Sequence, residues 1–482
     1  MGQFHGGIAR INITPPPGAY VSGYRLRAER AWTVQDELWA TALAVESNGT
    51  CLALITTDLL YLPHAIVGAV RRGILEHTGI PTDHIMVSCT HTHSGPETQE
   101  GALSVLGDAQ DWKKRTDEDY LRVLEAKLVG AAVMAWKRRE PVAIGAGRGE
   151  LRGCVINRRN PQGVVDPEVS VLRIDPASRT WSGMLVNFTC HPTSMGPRVE
   201  APVISPDYPG HLARFLESLG DTETYVLFAN GAAGNSGPWN FYFMGDDLRA
   251  GDIRAAYTHQ YRLEDSQTLG RLVALEARKV WLQITPDHQG AVACAREPLH
   301  LPMRDWPTVD AARQDLDRCQ QVLARVKRGE TIPREEKTRD DMYLERQISC
   351  FYPGITVEAW GPVLGVQYAQ EILRFAETQP AGRTIDTEIQ AMAIGDTAWV
   401  GIPGELFVEI GLAIKKASPF RHTMIYGYTN DSVGYLPTRD AFPQGGYGVA
   451  WTSRVDERAE ALIVQTAHQA LVKCRERLSI AG

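Results

Sequence analysis

Three short motifs in this chain gather residue types that hold metal ions. They read Cys89-Thr90-His91-Thr92-His93-Ser94-Gly95-Pro96, Thr189-Cys190-His191-Pro192-Thr193-Ser194 and Ile402-Pro403-Gly404-Glu405. On an extended segment side chains alternate, so His91 and His93 project to one side. Pro192 disfavours the helical region for His191 and keeps that residue extended as well. Imidazoles joined by a carboxylate form a ligand set that catalytic Zn²⁺ sites use, with one position left for water or substrate. The chemistry implied is metal-assisted hydrolysis. The local sequence gives Glu405 a second explanation, an acid at a helix N-terminus that favours the helix dipole.

The elements that must position these residues can be read from periodicity. Residues 8–14 alternate like a strand. Residues 51–57 and 84–89 are apolar runs that predict buried strands, and 62–78 between them has helical spacing through Ile66, Val67, Val70, Ile74 and Leu75. That order predicts a parallel strand–helix–strand unit, with His91 and His93 at the carboxyl end of its second strand, where ligands collect. Residues 168–174 and 183–190 predict paired strands, with His191 just beyond. Residues 224–229 predict another buried strand, followed by the Gly-rich turn from Asn230 to Pro238. Two strands around Gly395-Asp396 are predicted within 387–402, after which Glu405 opens a helix over 405–416. Further helices are predicted over 118–137, 207–218, 265–282 and 456–477. The charge-rich stretch 307–348, broken near Gly329–Pro333, predicts a solvated helical hairpin insertion. Residues 426–452 read as loop. The expected class is α/β, with mixed β-sheets flanked by helices.

Composition narrows the function. The chain has 482 residues, 44% apolar and 22% charged, with a formal net charge of −7, as soluble globular proteins do. The acidic balance argues against nucleic acid or an anionic membrane as partner. No run of about 18 apolar residues exists, so no membrane insertion is expected. The eight cysteines are scattered without Cys-x-x-Cys pairs and read as reduced, buried thiols, Cys89 and Cys190 among them. The first ten residues lack the apolar core of a signal peptide, so a cytoplasmic location is expected. The expected partner is a small-molecule amide or ester substrate, and composition leaves a homo-oligomer open.

The His-x-His pair belongs to no single fold, since TIM-barrel amidohydrolases and metallo-β-lactamases also use it. The latter need a further Asp-His, where this chain has Ser94-Gly95-Pro96-Glu97. The motifs His-Thr-His-Ser-Gly-Pro, His-Pro-Thr-Ser and Pro-Gly-Glu, in this order, resemble the neutral (non-lysosomal) ceramidase family in its N-terminal catalytic domain, over about residues 7–455. The resemblance implies that His91, His191 and Glu405 are Zn²⁺ ligands, joined by Tyr435 of Gly434-Tyr435-Leu436-Pro437-Thr438. It implies acid–base work for His93 and a catalytic role for Tyr447, twelve residues after Tyr435. Asn157-Arg158-Arg159-Asn160-Pro161 resembles the family's Asn-Arg-Ser-Pro, which makes Arg158 an oxyanion or substrate contact. Gly23, in Ser22-Gly23-Tyr24, resembles a glycine lining the same pocket. One motif departs: where the family has Gly-Asp-x-Ser-Pro, this chain has Gly234-Asn235-Ser236-Gly237-Pro238. The family's serine position falls on Gly237, while Asn235 and Ser236 remain substrate-binding candidates.

The expected function is therefore a zinc-dependent hydrolase. It would cleave a C–N amide bond of a small soluble substrate with water activated by the metal. The alternatives are a ceramide or N-acyl-lipid amidase and a catalytically inactive, metal-stabilised binding protein. A single neutral-ceramidase-like catalytic domain is expected over 1–482, with 307–348 inserted and no C-terminal immunoglobulin-like domain.

Overall fold

A computed structural model describes residues 2–24, 29–99, 115–160, 162–196, 201–220, 222–238, 263–338, 341, 357–378, 382–446, 448–450 and 452–481. Two β-sheets lie face to face between layers of helices. The larger has eight strands in the order Glu223–Asn230, Trp181–Phe188, Glu168–Pro176, Glu140–Glu150, His5–Asn12, Trp39–Ser47, Thr50–Thr57, Ile85–Cys89. The smaller has four: Val292–Pro302, Thr384–Ile394, Thr397–Gly401 and His422–Tyr426.

Strand alternation builds these layers. In Trp39–Ser47, Ala40, Ala42 and Ala44 face the helices His64–Thr78 and Glu118–Lys137, while Leu43 and Val45 face the smaller sheet. Thr50–Thr57 repeats the pattern, with Ala53 and Ile55 on one side and Leu52 and Leu54 on the other. Strands buried on both faces carry apolar residues at nearly every position, which is why these runs read as continuous. Between the sheets, Leu54, Met86, Leu185 and Leu227 meet Met392, Trp399 and Met424. Helices Asp207–Ser218 and Leu263–Gln283 cover the remainder of the larger sheet, and Val408–Ala417 and Ala459–Ala481 cover the smaller.

Within these two sheets most neighbouring strands run antiparallel, but three pairs are parallel. Thr50–Thr57 pairs with Ile85–Cys89, Trp181–Phe188 with Glu223–Asn230, and Thr397–Gly401 with His422–Tyr426. Each pair is joined through a helix, His64–Thr78, Asp207–Ser218 and Val408–Ala417 respectively. The chain segments that leave the carboxyl ends of these strands carry His91, His93, His191, the turn 234–238 and Glu405.

The expected α/β class with mixed sheets holds, with differences in detail. Four strands of these sheets, Trp39–Ser47, Glu140–Glu150, Val292–Pro302 and His422–Tyr426, are absent from the sequence reading. The alanines and glycines of the first three are poor strand formers in isolation. In Glu140–Glu150, Gly145, Gly147 and Gly149 share a face, and a Cβ on any of them would fall within 3 Å of Ile284, Val280 or Glu276. The missing side chains let Leu263–Gln283 and the residue that follows it sit directly on the strand. The helix predicted over 405–416 begins only at Val408, because Glu405–Leu406 instead forms a short parallel ladder with Tyr435–Leu436. Of the predicted hairpin, Val309–Lys327 is present, and Gly329 takes a left-handed φ of 83° at the predicted break. Most of its second arm, in 337–348, lies outside the described residues. The helix packed on the first arm comes later, Val357–Thr378, with Trp306 against Phe375 and Arg313 paired with Glu377. Among the described residues no helix is long and apolar enough to cross a membrane.

Candidate metal centre

The strand Ile85–Cys89 ends one residue before a sharp turn. His91 sits there with φ of 67°, a strained value for a residue with a side chain. Its backbone N–H donates to the Leu59 carbonyl (2.9 Å) and its Nδ1 to the Leu60 carbonyl (2.8 Å). With the proton on Nδ1, Nε2 presents a lone pair. His191 leaves the neighbouring strand and gives its Nδ1 proton to the Ala233 carbonyl at 2.9 Å, so its Nε2 is also a bare acceptor. Burial first, then the Arg158 guanidinium and the other two imidazoles, hold His191 well below the usual histidine range. It is a neutral ring.

These lone pairs converge. His91 Nε2 and His191 Nε2 are 3.1 Å apart, His93 Nε2 lies 3.0 Å from His191 Nε2 and 3.4 Å from His91 Nε2, and all three residues are buried. Glu405 Oε2 stands 3.4 Å from His91 Nε2 and 3.7 Å from His191 Nε2, with no hydrogen-bond donor of its own. Acceptors this close repel unless a cation or shared protons lie among them. Ligands about 2.0–2.1 Å from one tetrahedral Zn²⁺ stand about 3.4 Å from each other. The donor set therefore fits a divalent transition ion in both chemistry and spacing.

The other predicted residues fall as follows. Tyr435 is buried and lies directly across the short ladder from Glu405, on the same face. Tyr447 lies outside the described residues. Gly23 adopts φ of 99°, and a Cβ there would stand 2.6 Å from the His93 ring. Only glycine lets that segment close over the imidazole, while Tyr24 meets the same ring edge-on at 4.9 Å. Arg158 lies behind His191: its Nη2 donates to the Gly234 carbonyl at 2.7 Å and touches His191 Nδ1 at 2.9 Å. These two contacts are on the side of the ring away from the converging Nε2 atoms.

The turn 234–238 serves structure. Asn235 is occupied at both ends of its amide: Oδ1 accepts from Val408 N (2.8 Å) and Nδ2 donates to Glu409 Oε2 (2.8 Å). Its substrate-binding candidacy gives way to a helix-capping task. Ser236 is fully buried, pairs with Asn157, and its Oγ has no hydrogen-bond partner. A Cβ on Gly237 would stand 2.8 Å from the Arg158 stem, so Arg158 fills the space a larger residue there would need. Gly234 lets this turn touch the Glu405 backbone, since a Cβ would meet the Glu405 carbonyl at 2.4 Å.

Sequence reasoning missed Tyr428. It stacks on His91, ring centroids 3.8 Å apart and planes 16° from parallel, and meets His191 edge-on at 6.3 Å. Tyr428 follows the strand His422–Tyr426, which the sequence reading also missed.

Three comparisons bear on this geometry. Residues 4–238 match the family described as neutral/alkaline non-lysosomal ceramidase, N-terminal. That span holds His91, His93, Arg158 and His191. A neutral ceramidase from Pseudomonas aeruginosa is 26% identical, the match covering 98% of this chain and 72% of the relative. The chain is a relative of the neutral ceramidases. The fold agrees: a crystal structure of the P. aeruginosa neutral ceramidase superposes with a TM-score of 0.71 at 20% identity, over 99% of this chain and 75% of that one. A second structure, of a ceramidase complexed with C2, gives 0.70 over 99% and 76%. By this kinship with the neutral ceramidases the chain is a hydrolase.

Two acids near the site carry a pH prediction. Burial pushes Asp58, whose carbonyl abuts Gly95, up to about 7, and Glu97, four residues past His93, up to about 8. In the unfolded chain both titrate near 4. Between those values the folded state binds more protons, so stability falls as pH rises, by at most about 1.4 kcal/mol per pH unit for each group. The double variant Asp58→Asn/Glu97→Gln should lose this slope. Its melting temperature relative to wild type should rise between pH 5 and pH 8.5, and a pH-independent difference would refute the assignment.

Proposed function

We propose that this chain is a zinc-dependent amidase whose substrate is an N-acyl lipid of the ceramide type. The observation that carries the metal is the meeting of His91, His191 and His93 Nε2 within 3.4 Å, beside a Glu405 oxygen that no donor satisfies. His91, His191 and Glu405 would hold the ion, with Tyr435 entering beside Glu405. Such an ion would polarise a scissile carbonyl and bring the pKa of water from 15.7 to about 7.

The residues around it divide the remaining work. The carbonyls of Leu60 and Ala233 fix the His91 and His191 tautomers, so both rings arrive as acceptors. Arg158 braces the Gly234 turn from behind, and its charge beside His191 helps to keep that ring neutral. His93, pressed by Gly23 and Tyr24, takes a proton from the attacking water and returns it to the leaving amine. Tyr447 is proposed as a donor to the developing oxyanion. Water is favoured over serine as nucleophile, because the Gly237 position carries no hydroxyl and Arg158 occupies its surroundings.

The substrate class rests on kinship. The relative that matches along 98% of the chain is named for ceramide hydrolysis, which favours a lipid amide over the small soluble amide expected from the sequence. The test is metal analysis joined to a substrate panel. Purified protein should hold zinc equimolar with chain, release fatty acid from short-chain ceramide, lose that activity to chelators and regain it with Zn²⁺. A panel in which only water-soluble amides or esters turn over would reject the lipid, and full activity in metal-free protein would reject the site.

A further inference from the structure

The four residues Gly427–Asn430 lie among all the segments that carry the imidazoles and the carboxylate. On one side the segment adds to the edge of the larger sheet. Cys89 N donates to the Tyr428 carbonyl (3.1 Å), Asn430 N to the Val87 carbonyl (2.8 Å), Val87 N to Asn430 Oδ1 (2.9 Å) and Thr429 Oγ1 to Ser88 Oγ (3.0 Å). On the other side it holds the Glu405 loop: Tyr428 N donates to Gly404 O (3.2 Å) and Thr429 N to Ile402 O (3.0 Å). Gly427 N donates to Asn230 O (3.0 Å), and the Asn230 side chain reaches Thr90 O and Cys190 N, the residues before His91 and His191. Tyr428 and Asn430 both take left-handed backbone, φ of 56° and 64°. Such conformations persist where surrounding contacts over-determine them.

The segment is anchored from beneath. Asn430 Nδ2 donates to Gln390 Oε1 (2.8 Å) and Glu388 Oε1 (3.2 Å), and the buried Arg71 guanidinium binds the same two oxygens at 3.1 Å and 2.7 Å. Arg71 Nε reaches Ile85 O, at the start of the strand that leads to His91. One polar network thus ties the helix His64–Thr78, both sheets and the Tyr428 turn.

We propose that Tyr428 is a positioning residue: its ring, held by the Asn430 network, fixes the plane of the His91 imidazole and thereby the affinity of the cluster for a divalent ion. This rests on the metal reading above. Loss of an outer partner of a metal-ligating histidine lowers affinity by about 10–100-fold, and stacking over the whole face constrains the ring as such a partner does. The experiment titrates metal-free protein with Co²⁺, following its visible bands as a report on ligand geometry, with circular dichroism and thermal melting of the metal-free forms alongside. Tyr428→Leu, which keeps a side chain of similar backbone tolerance but no ring face, should weaken Co²⁺ binding about 10–100-fold and alter the bands, while melting changes little. Tyr428→Phe should restore both. Should the Leu variant fail to fold, Tyr428→Met takes its place under the same criteria. Wild-type affinity and bands in the ringless variant, or a Phe variant as impaired as the Leu one, would overturn the proposal while leaving the metal site standing. Wild-type protein that takes up neither Co²⁺ nor Zn²⁺ would overturn both.

Discussion

His191→Ala should yield folded protein without zinc and with kcat/KM reduced by at least about 10³-fold, since the ion's effect on water spans roughly eight pH units. His191 is the ring most committed to this task. It is fully buried, neutral, and tied by Nδ1 to the Ala233 carbonyl, so its Nε2 has only the cluster to face. The substitution leaves a cavity between Arg158 and the other two imidazoles. Arg158 keeps its bond to the Gly234 carbonyl, so the turn that touches Glu405 should persist and folding should survive. Glu405→Gln makes the contrast. It keeps the shape but removes the charge that balances the dication, so zinc should dissociate faster and activity should return in part when Zn²⁺ is supplied in excess. Inductively coupled plasma metal analysis, circular dichroism and fatty-acid release from short-chain ceramide measure the three quantities. A zinc-replete, active His191→Ala protein would remove the centre from this chain.

The site was legible to the extent that its residues sit at strand ends. His91, His93 and His191 follow runs that read as strands, and each run turned out to be one partner of a parallel pair. Glu405 follows the third such unit, displaced by the short ladder that delays its helix to Val408. What sequence hid was of two kinds. Strands built from small residues, such as Ala40, Ala42 and Ala44 or Gly145, Gly147 and Gly149, carry no strong periodic signal, because their role is to let helices approach. The division of labour between backbone and side chain was hidden too. Asn235 lies within the motif that departs from the family and looked like a substrate contact, yet it caps the helix after Glu405. Tyr428 sat in a stretch read as loop, and its stacking on His91 depends on a left-handed turn that no local pattern announces.

His93→Ala distinguishes a ligand from a proton carrier, and the expected outcome is retained zinc with activity reduced about 10²–10⁴-fold, the usual worth of a general acid–base group. Distances alone place His93 as close to the cluster as the others, 3.0 Å from His191 Nε2. Its setting differs. His91 and His191 are each fixed by an Nδ1 bond to a carbonyl, whereas the His93 ring is gripped by packing, between the bare face of Gly23 and the edge of Tyr24. It is also the most exposed of the three, at 8% against 1% and 0%, which suits a ring that must trade protons with water and a leaving amine. Gly23→Ala adds the complementary case. A methyl 2.6 Å from the imidazole must push it aside, so activity should fall while zinc stays bound, following His93→Ala in kind though less in size. If zinc departs with the His93 side chain, that residue is a further ligand, and the proton must be carried by another group, with Tyr447 the next to replace.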